Sequence, residues 1–509
     1  MAIRLVTHDD MVASSATSTS KGVGAWRAYI PLSIIVVVQG LYSFFAMRNT
    51  AFQDEALYLF AGRQILNSWH GGPPVVEPYG TYFSGYPSFY PVIAAQMDYW
   101  GGVEGARFFS SICIAIVTVC MFFITRRLFS EQAAIFATIL FAFQGSTLFI
   151  GRLATYDAFC LMLLALATVL AVYTSQSRTP WLVLLISPLL VLAVLAKYAG
   201  LLFIPSILLL LLWQTWKFQG LRAVIVHGIM VVVSLIGSVV AILLSGNREA
   251  LVGLSFTTTN RVAFLKTPTS ILASHIIVYG GIIIACAIAG AIVIPRRYRF
   301  LALVLLGTAL LAPAYHLYKG EIISLNKHIA FSAFFAAPLA GYALLQLIGS
   351  PKLAFSSRWL ASFAICLVVF IVGTQQSVQQ FHDWGTSNQL MSVLRSQVRP
   401  NIGHLLTEEF EVCRYYLQDV SKPWQWTGLN WFEYKTASGQ TLTGNQAYVT
   451  AVKDGYFDVI ELSFGFNYQQ ASQIRDAILK SHNYEQIAQL PYTNSSGSGF
   501  YYVYRHITP

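Results

Sequence analysis

Charge is scarce in this 509-residue chain: Asp, Glu, Lys and Arg together make up 11%, against 56% hydrophobic residues. With a mean hydropathy of +0.58 the chain is excluded as an ordinary water-soluble globule and reads as an integral membrane protein. Cysteine is sparse too. Of six, Cys113, Cys120, Cys160, Cys286 and Cys366 fall in apolar stretches and only Cys413 falls outside them, so neither a disulfide framework nor zinc-ligand spacing is present. No internal repeat of the kind that builds transporters from related halves is found. Residues 1–21 carry no short apolar core with a small-residue cleavage site, so no removable signal peptide is expected. The net charge of +10 implies no nucleic-acid partner, because basic turns between membrane helices produce it and attract membrane lipids.

Abundant instead are apolar runs of the roughly 20 residues that cross a hydrocarbon core about 30 Å thick. Hydropathy predicts eleven, at 27–46, 106–125, 131–150, 153–173, 180–196, 199–216, 222–245, 272–294, 299–317, 327–348 and 357–377. The fifth and sixth are parted only by Lys197-Tyr198-Ala199-Gly200 and read as two helices or as one kinked element. With residues 1–26 as a cytoplasmic tail, the short basic turns such as Arg126-Arg127 and Arg296-Arg297 fall inside. Residues 27–377 then form a multi-pass cell-membrane domain with outer loops 47–105 and 246–271. Residues 378–509 are polar and predict an extracytoplasmic α/β domain, with helices near 388–398 and 468–481 and strands at 447–452, 459–464 and 500–504.

Asp54-Glu55 stands out, an acidic pair just past the first span, where carboxylates can stay ionised and still face something in the bilayer. The stretch 55–66 places Leu57, Phe60, Ala61 and Ile65 on one side, as a helix lying on the membrane surface does.

Four segments in this order resemble the GT-C membrane glycosyltransferases, in particular the superfamily of protein O-mannosyltransferases and lipid A aminoarabinose transferases. They are Gln53-Asp54-Glu55-Ala-Leu-Tyr58; Tyr82-Phe-Ser-Gly-Tyr-Pro87 with Gly105-Ala-Arg107 and Arg126-Arg127-Leu-Phe129; Gly151-Arg-Leu-Ala-Thr-Tyr-Asp157; and Leu195-Ala-Lys197. The resemblance implies transfer of a sugar, with inversion, from a polyprenyl-phosphate donor to a lipid, glycan or protein acceptor on the outer face. By family position Asp54 is the general base, with Glu55 as neighbour or substitute. Tyr82 and Asp157 are expected to contact substrate, and Lys197, Arg261, Lys266, Lys327 and His328 are candidates for holding the leaving phosphate.

Other roles stay open at each position. Asp54 and Glu55 could cap the surface helix, Asp157 could pair with Arg152, and the loop cations could bind lipid headgroups. In one respect the chain departs from the aminoarabinose transferases. A Glu-Lys pair there is Ser84-Gly85 here, so either another cation such as Lys197 or Arg261 meets the donor phosphate or the donor head group sits differently, and the departure speaks against aminoarabinose as the sugar. No obligatory cofactor is expected, although outer carboxylates could hold a divalent cation. The reading from another class is a transporter or flippase of a lipid-linked saccharide.

Overall fold

In hydrocarbon every backbone N–H and C=O must be bonded within its own segment, so the apolar runs have to be helices. The structure, a computed structural model, describes residues 25–507 apart from 76, 178, 246–247, 261–265, 350–354 and 466. Its first part is helical: α1 (Ala25–Ala46), α2 (Gln53–Trp69), α3 (Tyr90–Leu128), α4 (Glu131–Ala142), α5 (Gly145–Arg152), α6 (Tyr156–Thr174), α7 (Ile186–Ala196), α8 (Ile204–Gln219), α9 (Leu221–Leu244), α10 (Arg248–Ser255), α11 (Thr269–Val293), α12 (Arg299–Lys319), α13 (Leu325–Gly349) and α14 (Phe355–Phe381). Among the described residues nine helices are long and apolar enough to cross a membrane, and the pair α4–α5, bent by 63°, makes a tenth. The expected count of eleven is corrected at 180–196, where the apolar helix Pro180–Ala196 is too short by itself.

The departures from straight spans have local causes. Gln144 interrupts α4–α5: its Oε1 caps α5 by accepting from the Thr147 amide (2.9 Å), and its Nε2 donates to the Tyr279 carbonyl (2.5 Å). Gly101-Gly102 break α3, with Gly102 at φ 62°, a conformation that costs glycine little. Lys197 ends α7 in extended conformation, so the fifth and sixth segments are separate elements. At the centre, most of α13 is buried. A side chain at Gly341 would come within 2.3 Å of the Ala133 carbonyl oxygen; its absence lets α13 meet α4 backbone to backbone, the usual packing device of helices in lipid.

The C-terminal part adds α15 (Asn388–Gln397), β1 (Leu405–Thr407), α16 (Phe410–Tyr416), β2 (Trp426–Thr427), β3 (Glu433–Lys435), β4 (Thr441–Thr443), α17 (Gly444–Lys453), β5 (Val459–Leu462), α18 (Tyr468–Ser481), β6 (Tyr484–Asn494) and β7 (Gly497–His506). The main sheet has the order β2-β1-β5-β7-β6, with β1 parallel to β2 and β5, and β7 antiparallel to β5 and β6. The strand expected at 447–452 is helix α17. Its buried residues Ala447, Tyr448, Ala451 and Val452 repeat at one-turn spacing and form a helix face, not the alternation of a strand.

This domain is fastened to the loop after α1 and to α2. Trp384 Nε1 donates to the Thr50 carbonyl (3.0 Å), the Ala51 amide donates to Tyr416 Oη (2.8 Å), and the Arg414 guanidinium lies 4.4 Å over the Phe60 ring. Tyr415 Oη donates to Asp98, which also receives Arg63 Nε, each at 2.5 Å.

Candidate active site

The two acids of the Asp54-Glu55 pair are separated by one step along α2 and point into different surroundings. Glu55 is fully buried and its carboxylate is consumed by structure. Arg107 Nε and Nη2 grip it from α3 at 2.8 and 2.7 Å, while the amides of Ala154 and Phe52 donate to it at 2.7 and 2.8 Å. This corrects the expectation of Glu55 as a catalytic neighbour or substitute, since it has neither exposure nor a spare acceptor direction. It joins α2, α3 and the residues leading into α6. Removing one partner of such a buried pair costs about 3–5 kcal/mol.

Asp54 keeps a side chain 35% exposed and accepts from Lys327 Nζ at 2.6 Å. Lys327 rises from the first turn of α13, with its ammonium 5.4 Å from the centre of the Phe52 ring. Nearby, Asp157 at the start of α6 forms a buried ion pair with Lys197, and Thr155 Oγ1 donates to its other oxygen (3.0 Å). The alternative pairing of Asp157 with Arg152 is not what forms; Arg152 pairs with Glu104. The Lys197 ammonium lies 5.1 Å over the Tyr156 ring, which is itself 4.7 Å from the Tyr58 ring of α2.

Lys197 owes its position to the outer segment. The Tyr86 amide donates to the Leu195 carbonyl (2.7 Å) and the Tyr198 amide to the Ser84 carbonyl (2.8 Å), a short backbone pairing that brackets the lysine. A side chain at Gly85 would stand 2.3 Å from the Ala196 carbonyl oxygen. The absence of a side chain at Gly85 therefore lets the segment that carries Lys197 come alongside.

Lys197 opens on a cavity of about 450 Å³. Its polar lining includes Ser84, Tyr156, Lys197, His316, Glu321 and His328, and its apolar lining includes Leu201, Leu202, Phe203, Pro205, Ala312 and Phe331. The two histidines are bonded, His316 Nε2 to His328 Nδ1 at 2.7 Å, and His316 Nδ1 meets the Glu321 carbonyl at 2.6 Å. A carbonyl only accepts, so His316 carries its proton on Nδ1, its Nε2 accepts, and His328 Nδ1 is the donor. Protonation of the pair would then fall on His328 Nε2.

The other expected contacts are scattered. Tyr82 is 43% exposed on the turn Tyr79–Tyr82 and donates to Glu77 (3.1 Å); it does not line the cavity. Lys266 is exposed and does not line it either, though Thr257 of the same outer loop does. Arg261 lies outside the described residues. Sequence reasoning included Arg107 and Tyr156 in its motif segments without giving them a role, and it missed His316, which tertiary contacts alone join to the site. From the C-terminal domain comes Glu411, whose carboxyl is pushed up to about 8 by burial and then by the Asp54 charge. Among the described residues no three His, Cys, Asp or Glu side chains are grouped as metal ligands.

A family model described as dolichyl-phosphate-mannose-protein mannosyltransferase matches residues 101–243. Comparison with curated protein sequences gives no match. The chain is structurally similar to ArnT from Cupriavidus metallidurans bound to undecaprenyl phosphate, with TM-score 0.60 and 13% identity over 96% of this chain and 99% of that one. ArnT in the apo state gives TM-score 0.58 and 14% identity over 94% and 98%. The Archaeoglobus fulgidus oligosaccharyltransferase in the apo form gives TM-score 0.55 and 13% identity over 94% and 75%. The chain has the GT-C fold, with a helical membrane domain followed by a β-containing domain.

Proposed function

We propose that this GT-C chain is a membrane glycosyltransferase that moves a sugar from a polyprenyl-phosphate donor to an acceptor at the extracytoplasmic face. The observation that carries the reading is the cavity lining, which brings the Lys197 ammonium together with a hydrocarbon surface of Leu201, Leu202, Phe203 and Phe331, the combination an isoprenoid phosphate requires. The undecaprenyl phosphate bound to ArnT and the mannosyltransferase description of the matching model support the same donor class.

In the reaction, the acceptor oxygen attacks the anomeric carbon while that carbon's bond to the phosphate oxygen breaks, with inversion. The acceptor proton passes to the Asp54 carboxylate, and the polyprenyl phosphate leaves carrying the bonding pair. Lys327 holds Asp54 in one orientation. Negative charge grows on the leaving phosphate, where Lys197 in the cavity lining and Lys327 at Asp54 oppose it. Lys197 serves here although Asp157 already engages it, because an ammonium has three N–H donors. These cations make a metal unnecessary to the reading, so activity is expected to survive chelation. Either a lipid, a glycan or a protein hydroxyl satisfies the chemistry of the acceptor.

The test is incubation of purified protein in lipid with radiolabelled polyprenyl-phosphate sugars and a crude envelope acceptor fraction. Label leaving the polyprenyl phosphate for a new product is the expected result. Binding and movement of intact donor across the bilayer, with no new product, would replace this reading by that of a transporter.

A further inference from the structure

A second recess, about 800 Å³ in volume, opens where α1 ends against the C-terminal domain. Phe44, Arg48, Glu104, Arg152, His382 and Tyr416 line it. Charge in and behind it does not balance. Arg107 takes Glu55 and one oxygen of Glu104, and Arg152 takes the other oxygen of Glu104. Arg48 makes no ion pair among the described residues, so three guanidiniums share two carboxylates. Two of the three also crowd one ring: Arg48 lies 5.7 Å and Arg152 5.5 Å from the centre of Phe44. Arg48 and Arg152 both line the recess, and an anion held there would offset their like charge. His382 lines the recess as well, with its Nδ1 donating to the Val378 carbonyl at 2.7 Å.

The level of the recess matters as much as its charge. Leu41, Phe44 and Phe45 are exposed on the last turns of α1, which belongs to a membrane-spanning helix ending at Ala46. Arg48 therefore stands at the depth of lipid phosphates. A groove of about 680 Å³ lined by Tyr42, Thr374, Gln375, Val378, Gln379 and Ser495 shares His382 with the recess.

We infer that this recess binds the phosphate of an anionic bilayer lipid, with Arg48 and Arg152 on the phosphate, His382 beside it and the acyl chains along the exposed apolar face of α1 that Leu41, Phe44 and Phe45 form. The lipid would tie the C-terminal domain, through His382 and Tyr416, to the bilayer. This inference does not depend on the transfer reaction.

The experiment uses the purified full chain in detergent, with bound lipid counted by native mass spectrometry and unfolding followed by temperature. Phosphatidylglycerol, phosphatidylcholine and inorganic phosphate are the three additions. Phosphatidylglycerol should stay bound and raise Tm more than phosphatidylcholine does. Arg48→Gln, an exposed position that the fold does not need, should weaken its retention about fivefold, the effect of about one cation at a membrane surface. His382→Gln should weaken it in the same direction, and Arg222→Gln, at the start of α9, should leave it unchanged. Equal retention of the two phospholipids, or no effect of Arg48→Gln, would overturn the inference. Stabilisation by inorganic phosphate alone that Arg48→Gln abolishes would show a free-anion site and would overturn the lipid assignment.

Discussion

Asp54 and Glu55 are adjacent in the chain and opposite in use. Helical geometry turns successive side chains by about a third of a turn, so one carboxylate meets Lys327 at a half-open surface while the other is clamped by Arg107 inside the protein. Glu55→Gln should therefore fail as a folded protein before it fails as an enzyme. The expected loss is about 3–5 kcal/mol, because Arg107, still bonded to Glu104 and to the Asn49 and Thr50 carbonyls, loses its fully buried counter-ion; a lowered Tm in thermal unfolding checks it, and a variant of unchanged Tm would deny the clamp. The acidic pair, Asp157 and Lys197 were all legible in the sequence as candidates, since ionisable residues at the ends of apolar runs are conspicuous. Their pairing was not. Lys197 meets Asp157 across 40 residues and Lys327 meets Asp54 across 273, distances at which no spacing rule operates. The His316–His328 pair is hidden in the same way, divided between two helices.

Short helices and breaks carry the geometry of the site. The eleven apolar segments were readable because hydropathy reports burial in lipid directly, but the bends within them depend on single polar or glycine residues that a window average smooths away. Gly373 of α14 is one such residue. A methyl group there would lie 1.9 Å from the Phe143 carbonyl oxygen, at the break between α4 and α5, so Gly373→Ala should force these elements apart. The expected outcome is a Tm drop corresponding to about 1–3 kcal/mol, the usual cost of overpacking, whereas Gly307→Ala, which meets nothing within 4 Å, should be silent.

The docking of α16 on α2 adds a pH dependence. Burial, helped by the Asp54 charge, moves the Glu411 carboxyl from its ordinary value near 4.5 to about 8. An acid whose pKa is raised by folding keeps its proton in the folded state and loses it on unfolding. Its contribution is complete below about 4.5 and declines as pH rises to about 8. Hydrogen exchange of α16 should accordingly speed up, beyond the intrinsic pH effect, between those limits, and Glu411→Gln should flatten that extra slope.

As a whole, the chain couples a helical bundle to a soluble domain that reaches back to the first loop through Trp384, Arg414, Tyr415 and Tyr416. The two-part architecture was legible from composition alone, because polarity changes abruptly near residue 378. The strand expected at 447–452 was misread because Tyr448, Val449, Thr450 and Val452 favour strands by residue type, whereas the burial of Ala447, Tyr448, Ala451 and Val452 follows a helix. Orientation is predicted from the short basic turns, which place the soluble domain outside. Ser438, on an exposed turn between β3 and β4, offers the test: Ser438→Cys should react with a membrane-impermeant maleimide on intact cells. Labelling that requires permeabilised cells would invert the topology and move the proposed active site to the cytoplasmic face.

The decisive comparison is sugar transfer from polyprenyl phosphate by wild type and by Asp54→Asn, each in lipid and each at saturating donor. Asparagine keeps the size of the side chain and removes the proton acceptor. The account predicts a fall in turnover of about 10²- to 10⁴-fold, with donor affinity and Tm little changed. Turnover in Asp54→Asn within a few-fold of wild type would contradict it, because the acceptor proton would then be leaving by another group.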